Sequence, residues 1–146
     1  MNNNTYWYEF KQNNSGGSFV VDDKVCPRIY IEAEDFREAV IIAESLGCYW
    51  NGVKKGIDCP CCGDRWSKWD NQPIDFDDNN SKSIEEYAQK MSNEYGWTYP
   101  DARIYYKNGD VKEIFSNRVS KPYIFDSIKN QFHLVLTIFS KFHKNH

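Results

Sequence analysis

Three of the chain's five cysteines fall between positions 59 and 62, in Asp58-Cys59-Pro60-Cys61-Cys62-Gly63. Cys59 and Cys62 form a C-x-x-C-G knuckle, a tight turn that presents two thiolates as half of a tetrahedral Zn²⁺ shell. The other half would come from Cys26, Cys48 or Cys61, from an aspartate, or from a histidine. No second C-x-x-C exists, and His133, His143 and His146 all lie in the last part of the chain. Two other readings compete with zinc. A thioredoxin-like redox pair should open a helix, and Gly63-Asp64-Arg65-Trp66 starts no periodic pattern. The cluster could also be a plain turn, with Cys26 and Cys48 as ordinary buried cysteines. The odd count and the clustering point to a reducing compartment and away from a disulfide scaffold.

A second chemistry-bearing stretch is Gln12-Asn13-Asn14-Ser15-Gly16-Gly17-Ser18. Glycine-rich turns between strands expose successive N–H groups that can cradle an anion, and Asn and Ser add neutral donors. It is not a Walker loop, because no Gly-Lys-Ser/Thr follows. Arg65 can grip a phosphate, and Trp50, Trp66 or Trp69 can stack on a base. The expected pocket joins Asn13, Asn14, Ser15, Gly16, Gly17 and Ser18 to Trp50, Asp64, Arg65 and Trp66. The bland alternatives are a ligand-free turn, an Arg65 paired with Asp58 or Asp64, and tryptophans in the core. No histidine precedes residue 133, so no compact nucleophile–base pair is visible and no catalytic residue is assigned. A phosphodiesterase-like enzyme using the tail histidines is the weakest alternative. Asp75, Asp77 and Asp78 read as a solvated loop.

These residues need elements to position them. Thr5–Lys11 is aromatic-rich with interleaved polar residues and reads as a strand, as does Arg28–Ala33. Asp35 caps a helix over Phe36–Leu46, with Phe36, Ala39, Val40 and Ala43 at helical spacing and Gly47 at its end. Cys48–Asn80 lacks periodicity and reads as an ordered loop around its tryptophans. Ser83-Ile84-Glu85-Glu86 opens a second helix, running to about Glu94 and ended by Gly96. Arg103–Tyr106 and Val111–Phe115 flank an Asn108-Gly109 turn and form a hairpin. The fold class is α+β: an antiparallel sheet with two short helices on one face. Tyr123–His146 carries apolar residues at helical spacing and is basic, so a C-terminal amphipathic helix is expected, docked on its own domain or pairing copies. The division is 1–118 for the α+β domain and 119–146 for the helical tail.

With 146 residues, Lys+Arg 18 against Asp+Glu 21 and a net charge of −3, the chain has no basic surplus for general nucleic-acid binding. No apolar run approaches the roughly 20 residues needed to span a bilayer. Met1–Thr5 lacks the basic and apolar regions of a signal peptide.

Several stretches resemble a family of small orphan proteins encoded by tailed bacteriophages. They are Tyr6–Phe19 with Q-N-N-S-G-G-S-F, Ile31-Glu32-Ala33-Glu34, Asp58–Trp66 with D-C-P-C-C-G-D-R-W, Glu86-Tyr87-Ala88 and Pro100–Phe115. The resemblance covers roughly residues 5–116 and transfers no catalytic residue. It implies a phage product in the host cytoplasm that counters host defence. The expected function is a sponge that sequesters a small nucleotide-derived immune signal, of cyclic nucleotide or ADP-ribose type, without cleaving it. The alternative is a zinc-stabilised interaction module that inhibits a host protein. Self-association as a homo-oligomer is also expected.

Overall fold

A computed structural model describes residues 4–13, 17–68, 71–92 and 98–116. Asn14, Ser15, Gly16, Trp69, Gly96 and the expected helical tail at 119–146 lie outside the described residues.

Four strands form one sheet in the order β1-β2-β3-β4: β1 (Tyr6–Lys11), β2 (Arg28–Ala33), β3 (Ala102–Tyr105) and β4 (Val111–Ile114). The two outer pairs are antiparallel, with Tyr8 opposite Ile31 and Arg103 opposite Glu113. The central β2–β3 pair is parallel, with Ile29 beside Arg103 and Ile31 beside Tyr105. The sheet is therefore mixed, which corrects the antiparallel expectation. A parallel pair cannot be closed by a short turn, so everything between Ala33 and Ala102 serves as its crossover.

That crossover contains α1 (Phe36–Leu46) and α2 (Ile84–Met91). Each starts where its capping signal stands. Asp35 accepts from the Glu38 N–H, and Ser83 accepts from the Glu86 N–H. In both helices the third helical residue also reaches back one residue beyond the cap. Glu38 Oε2 accepts from the Glu34 N–H at 2.6 Å, and Glu86 Oε2 from the Lys82 N–H at 3.1 Å. Gly47 ends α1 at φ 114°, a left-handed conformation that suits glycine, and its N–H returns to the Ala43 and Glu44 carbonyls.

Strand alternation decides which helix covers which face. Tyr8, Phe10, Ile29, Ile31 and Ala33 point to one side and pack with Ala39, Ile42, Ala43 and Leu46 of α1. Tyr30, Ala102, Ile104 and Ile114 point to the other and pack with Ile84 and Ala88 of α2. The two helices thus lie on opposite faces, which corrects the expectation of one shared face. The physical reason is that β2 and β3 are apolar at consecutive positions, so both sides of the central pair need cover. The buried stripe of α1 is Ala39, Ile42, Ala43 and Leu46, while Phe36 and Val40 flank it, partly buried.

The β3–β4 hairpin closes through Tyr106–Asp110. The Tyr106 N–H donates to the Asp110 carbonyl and the Gly109 N–H to the Tyr106 carbonyl. Gly109 has φ 94°, whereas Asn108 is not left-handed. This is a three-residue turn with glycine in its bulge position.

Asp35→Ala removes the α1 cap without touching the core. It should lower unfolding free energy by about 1 kcal/mol, shifting the urea midpoint with an unchanged slope. An unshifted midpoint would mean that the cap contributes nothing.

Candidate functional site

The two loops singled out in the sequence do meet. Asn13 reaches across to the cysteine segment: its backbone N–H donates to the Arg65 carbonyl at 2.8 Å, and its side-chain Nδ2 to the Cys62 carbonyl at 2.7 Å. In return, Arg65 Nη1 donates to Gln12 Oε1 at 3.0 Å and to the Ser18 carbonyl at 3.1 Å. Gln12 is itself buried, and its amide bridges Val20 and Cys26 through their carbonyls and the Val20 N–H.

Asp58 organises the other side of this junction. Its carboxylate accepts from Tyr49 Oη at 2.7 Å and from the Arg65 N–H at 2.8 Å, and lies 4.0 Å from Arg65 Nε. Burial, and then the neighbouring Asp58 carboxylate, raise the Tyr49 hydroxyl above its ordinary range. Gly52 lies against the same group. A Cβ there would overlap the Asp58 carboxylate, at 2.6 Å from its Cγ and 2.7 Å from Tyr49 Cε2. Asp64 Oδ1 accepts from the Val53 N–H, fastening the turn at 51–57 to the cysteine segment.

The tryptophans take a different part from the one expected. Trp66 is 2% exposed and Trp50 7%, both within the core cluster under α1. Trp50 packs on Phe10 with ring centroids 5.7 Å apart and donates through Nε1 to Glu44. Trp66 therefore belongs to the core and does not serve as a stacking platform, because an irregular loop with few strands beneath it buries its largest apolar group first. Arg65 likewise spends its Nη1 within the loop junction. Of the expected pocket, Asn13, Ser18, Asp64 and Arg65 come together as a structural clamp, and Gly17 stands in open space.

The cysteines divide into two groups. Cys26 and Cys48 are buried in the core, and burial pushes the Cys26 thiol up to about 12 and raises the Cys48 thiol as well. Among the described residues, neither joins the candidate metal group, which corrects the expectation that Cys26 or Cys48 completes the shell. Cys59, Cys61 and Cys62 do converge, with all three sulfurs within 4.8 Å of one another on the surface. The Cys62 and Gly63 N–H groups both return to the Cys59 carbonyl, closing the turn, and Gly63 has φ 83°. Cys59 Sγ lies 2.6 Å from Cys61 Sγ, and Cys61 Sγ 3.5 Å from Cys62 Sγ. The Cys61 thiol, with backbone N–H groups of Cys61 and Cys62, holds the Cys59 thiol below its ordinary value. Facing Cys59 and then Cys62, the Cys61 thiol is pushed up to about 11. The turn thus favours the thiolate at Cys59 over that at Cys61.

The site and fold define a small α+β domain with a clamped loop that displays three thiols. A family profile described as a domain of unknown function (DUF7296) matches residues 5–121, and the chain belongs to that family. No curated protein and no solved structure matches the chain.

Two outcomes test the clamp and the thiols. Gly52→Ala should destabilise the fold by about 1–3 kcal/mol, because Asp58 must leave Arg65 and Tyr49 to admit the methyl group. Chemical unfolding checks this, and a wild-type midpoint would contradict the tight approach. In brief alkylation of the native protein near neutral pH, Cys59 should react before Cys61, since more of it is thiolate. Cys26 and Cys48 should label only after unfolding. Peptide mapping reads the order, and equal labelling of all five would overturn it.

Proposed function

We propose that this chain is a non-catalytic binding module in which Cys59, Cys61 and Cys62 hold a thiophilic metal ion, Zn²⁺ in the first instance. The observation that carries the reading is the convergence of the three sulfurs at a turn with backbone N–H groups directed at Cys59. Such N–H groups stabilise a thiolate before any metal arrives, and a divalent ion would take the place of the Cys61 proton, whose hydrogen bonds with Cys59 and then Cys62 raise that thiol. Three protein thiolates leave a fourth tetrahedral position for water or for a donor from another molecule.

Beside the thiols, the turn at 51–57 presents Ile57, 59% exposed, with Lys54 and Lys55 also exposed. An exposed apolar residue in a turn that also exposes two lysines and is anchored through Asp58 and Asp64 suits docking on a protein surface more than catalysis. The partner in this reading is a host protein, as the resemblance to phage accessory proteins implies. Sequestration of a nucleotide signal at the Asn13–Arg65 junction is less well supported, because Arg65 Nη1 is already engaged there and Trp66 is in the core.

Titration of reduced protein with Zn²⁺ tests the reading. One ion per chain should bind, with protons released as thiols ionise and alkylation of the three cysteines suppressed. Cys59→Ser and Cys62→Ser should each weaken binding at least about tenfold, while Cys48→Ser leaves it unchanged. No stoichiometric uptake, or uptake indifferent to Cys59 and Cys62, would overturn the metal site.

A further inference from the structure

A cavity of about 480 Å³ opens on the α1 side of the sheet, lined by Val21, Asp22, Asp23, Thr98, Tyr99, Pro100, Arg103, Glu113 and Phe115. Its position follows from the topology. On this face, among the described residues, α1 packs chiefly on β1 and β2, and Tyr105 and Val111 join the edge of the same cluster from β3 and β4. One cross-strand row runs from Phe10 through Ile29 and Arg103 to Glu113. It is apolar under α1 and charged where helical cover ends.

Arg103 is 2% exposed. Its Nη1 donates to the Asp22 carbonyl at 2.6 Å and to the Val25 carbonyl at 3.0 Å, while its buried Nε has no hydrogen-bond partner. Glu113 stands directly opposite on β4, yet the two form no ion pair among the described residues. Burial raises the Glu113 carboxyl, with Arg103 pulling the other way. Arg103, with its unpartnered Nε, and Glu113 therefore stand side by side in the lining of an otherwise mostly apolar cavity, to which Tyr99 and Phe115 also contribute. A buried donor without an acceptor is costly, and a ligand that supplies the acceptor recovers that cost.

We propose that this cavity is a binding site for a guanine base, carried as a nucleoside. A flat heteroaromatic ring fits aromatic and apolar walls, and the volume is within the range of small-molecule sites. Guanine presents one carbonyl acceptor beside two N–H donors. The acceptor takes the Arg103 Nε–H, and the paired donors suit the two oxygens of Glu113. Asp22 and Asp23, both exposed, add negative charge at the cavity, which favours sugar hydroxyls over phosphate. This site shares no residue with the cysteine cluster, so it stands or falls independently of the metal reading.

Calorimetric titration of the full chain with guanosine, inosine and guanosine monophosphate tests the proposal. Guanosine should bind saturably with a Kd below about 1 mM. Inosine, which lacks the exocyclic amine, should bind about tenfold more weakly, and the monophosphate more weakly than guanosine. Glu113→Gln should cost guanosine about tenfold, and Cys59→Ser nothing. The inosine comparison needs no variant, so it decides the matter even where Glu113→Gln misfolds. No saturable guanosine binding, equal affinity for inosine, or tighter binding of the monophosphate would overturn the assignment.

Discussion

The parallel pairing of β2 with β3 is the constraint on which the rest of the structure depends. Two parallel strands joined in sequence need a connection that leaves one end of the sheet and returns to the other. In this chain the connection holds both helices and the whole cysteine-bearing loop. Because the pair is central and apolar at consecutive positions, the crossover must cover both faces, with α1 on one and α2 on the other. The long irregular stretch between the helices is then the span that carries the chain from one layer to the other. Its length answers a geometric demand, and the cysteine turn sits on it as a passenger.

A span with so little regular structure must satisfy its backbone by other means. Side chains do much of this here. Asp58 takes the Arg65 N–H, Asp64 takes the Val53 N–H, Asn13 donates to the Cys62 carbonyl, and Gln12 bridges Val20 and Cys26. The Asn13 bond ties the span to a segment 49 residues away, and the others fasten nearer turns within the span and the connection into β2. Trp50 and Trp66 add the apolar anchor that hydrogen bonds alone cannot supply. The cysteine turn is held rigid by this frame while its sulfurs stay on the surface.

The parts legible in the sequence were those governed by local rules. β1, β2 and α1 lie where alternation, helical spacing, Asp35 and Gly47 put them, and the Asn108-Gly109 hairpin forms. The sequence also pointed to a meeting of Asn13 and Ser18 with Arg65, as a ligand pocket, whereas the structure joins them as a hydrogen-bonded clamp. What local reading missed was long-range. Parallel pairing leaves no signature at a turn, and the apolar run Ile29-Tyr30-Ile31 was the sole hint that β2 is covered on both sides. The roles of Trp50 and Trp66 turned on what packs around them, which spacing cannot report. Arg103 and Glu113 were missed for the same reason: they become neighbours only through the β3–β4 register. An arginine inside the apolar segment Ala102-Arg103-Ile104-Tyr105 was the available signal.

Whether a polar group is already satisfied separates the groups that hold this fold from those free to act. Arg65, the more conspicuous arginine in the sequence, gives its Nη1 to Gln12 and Ser18 and lies close to Asp58. Drawing it toward a ligand would dismantle the loop junction, so its chemistry is spent on structure. Arg103 is the opposite case. Two carbonyls hold its Nη1 and keep the charge buried, but the buried Nε has no hydrogen-bond partner, and the carboxylate of Glu113 across the strand forms no ion pair with it. Replacing a buried ion of this kind by apolar residues often improves stability, so its presence is poorly accounted for by folding alone. The same reasoning applies to the cysteine turn. Packing needs no third thiol at Cys61, and its crowding against Cys59 and Cys62 raises its pKa while the sulfurs remain exposed. In both places the fold gathers groups able to bind a ligand more closely than packing requires, an arrangement that a bound ion or ligand would use.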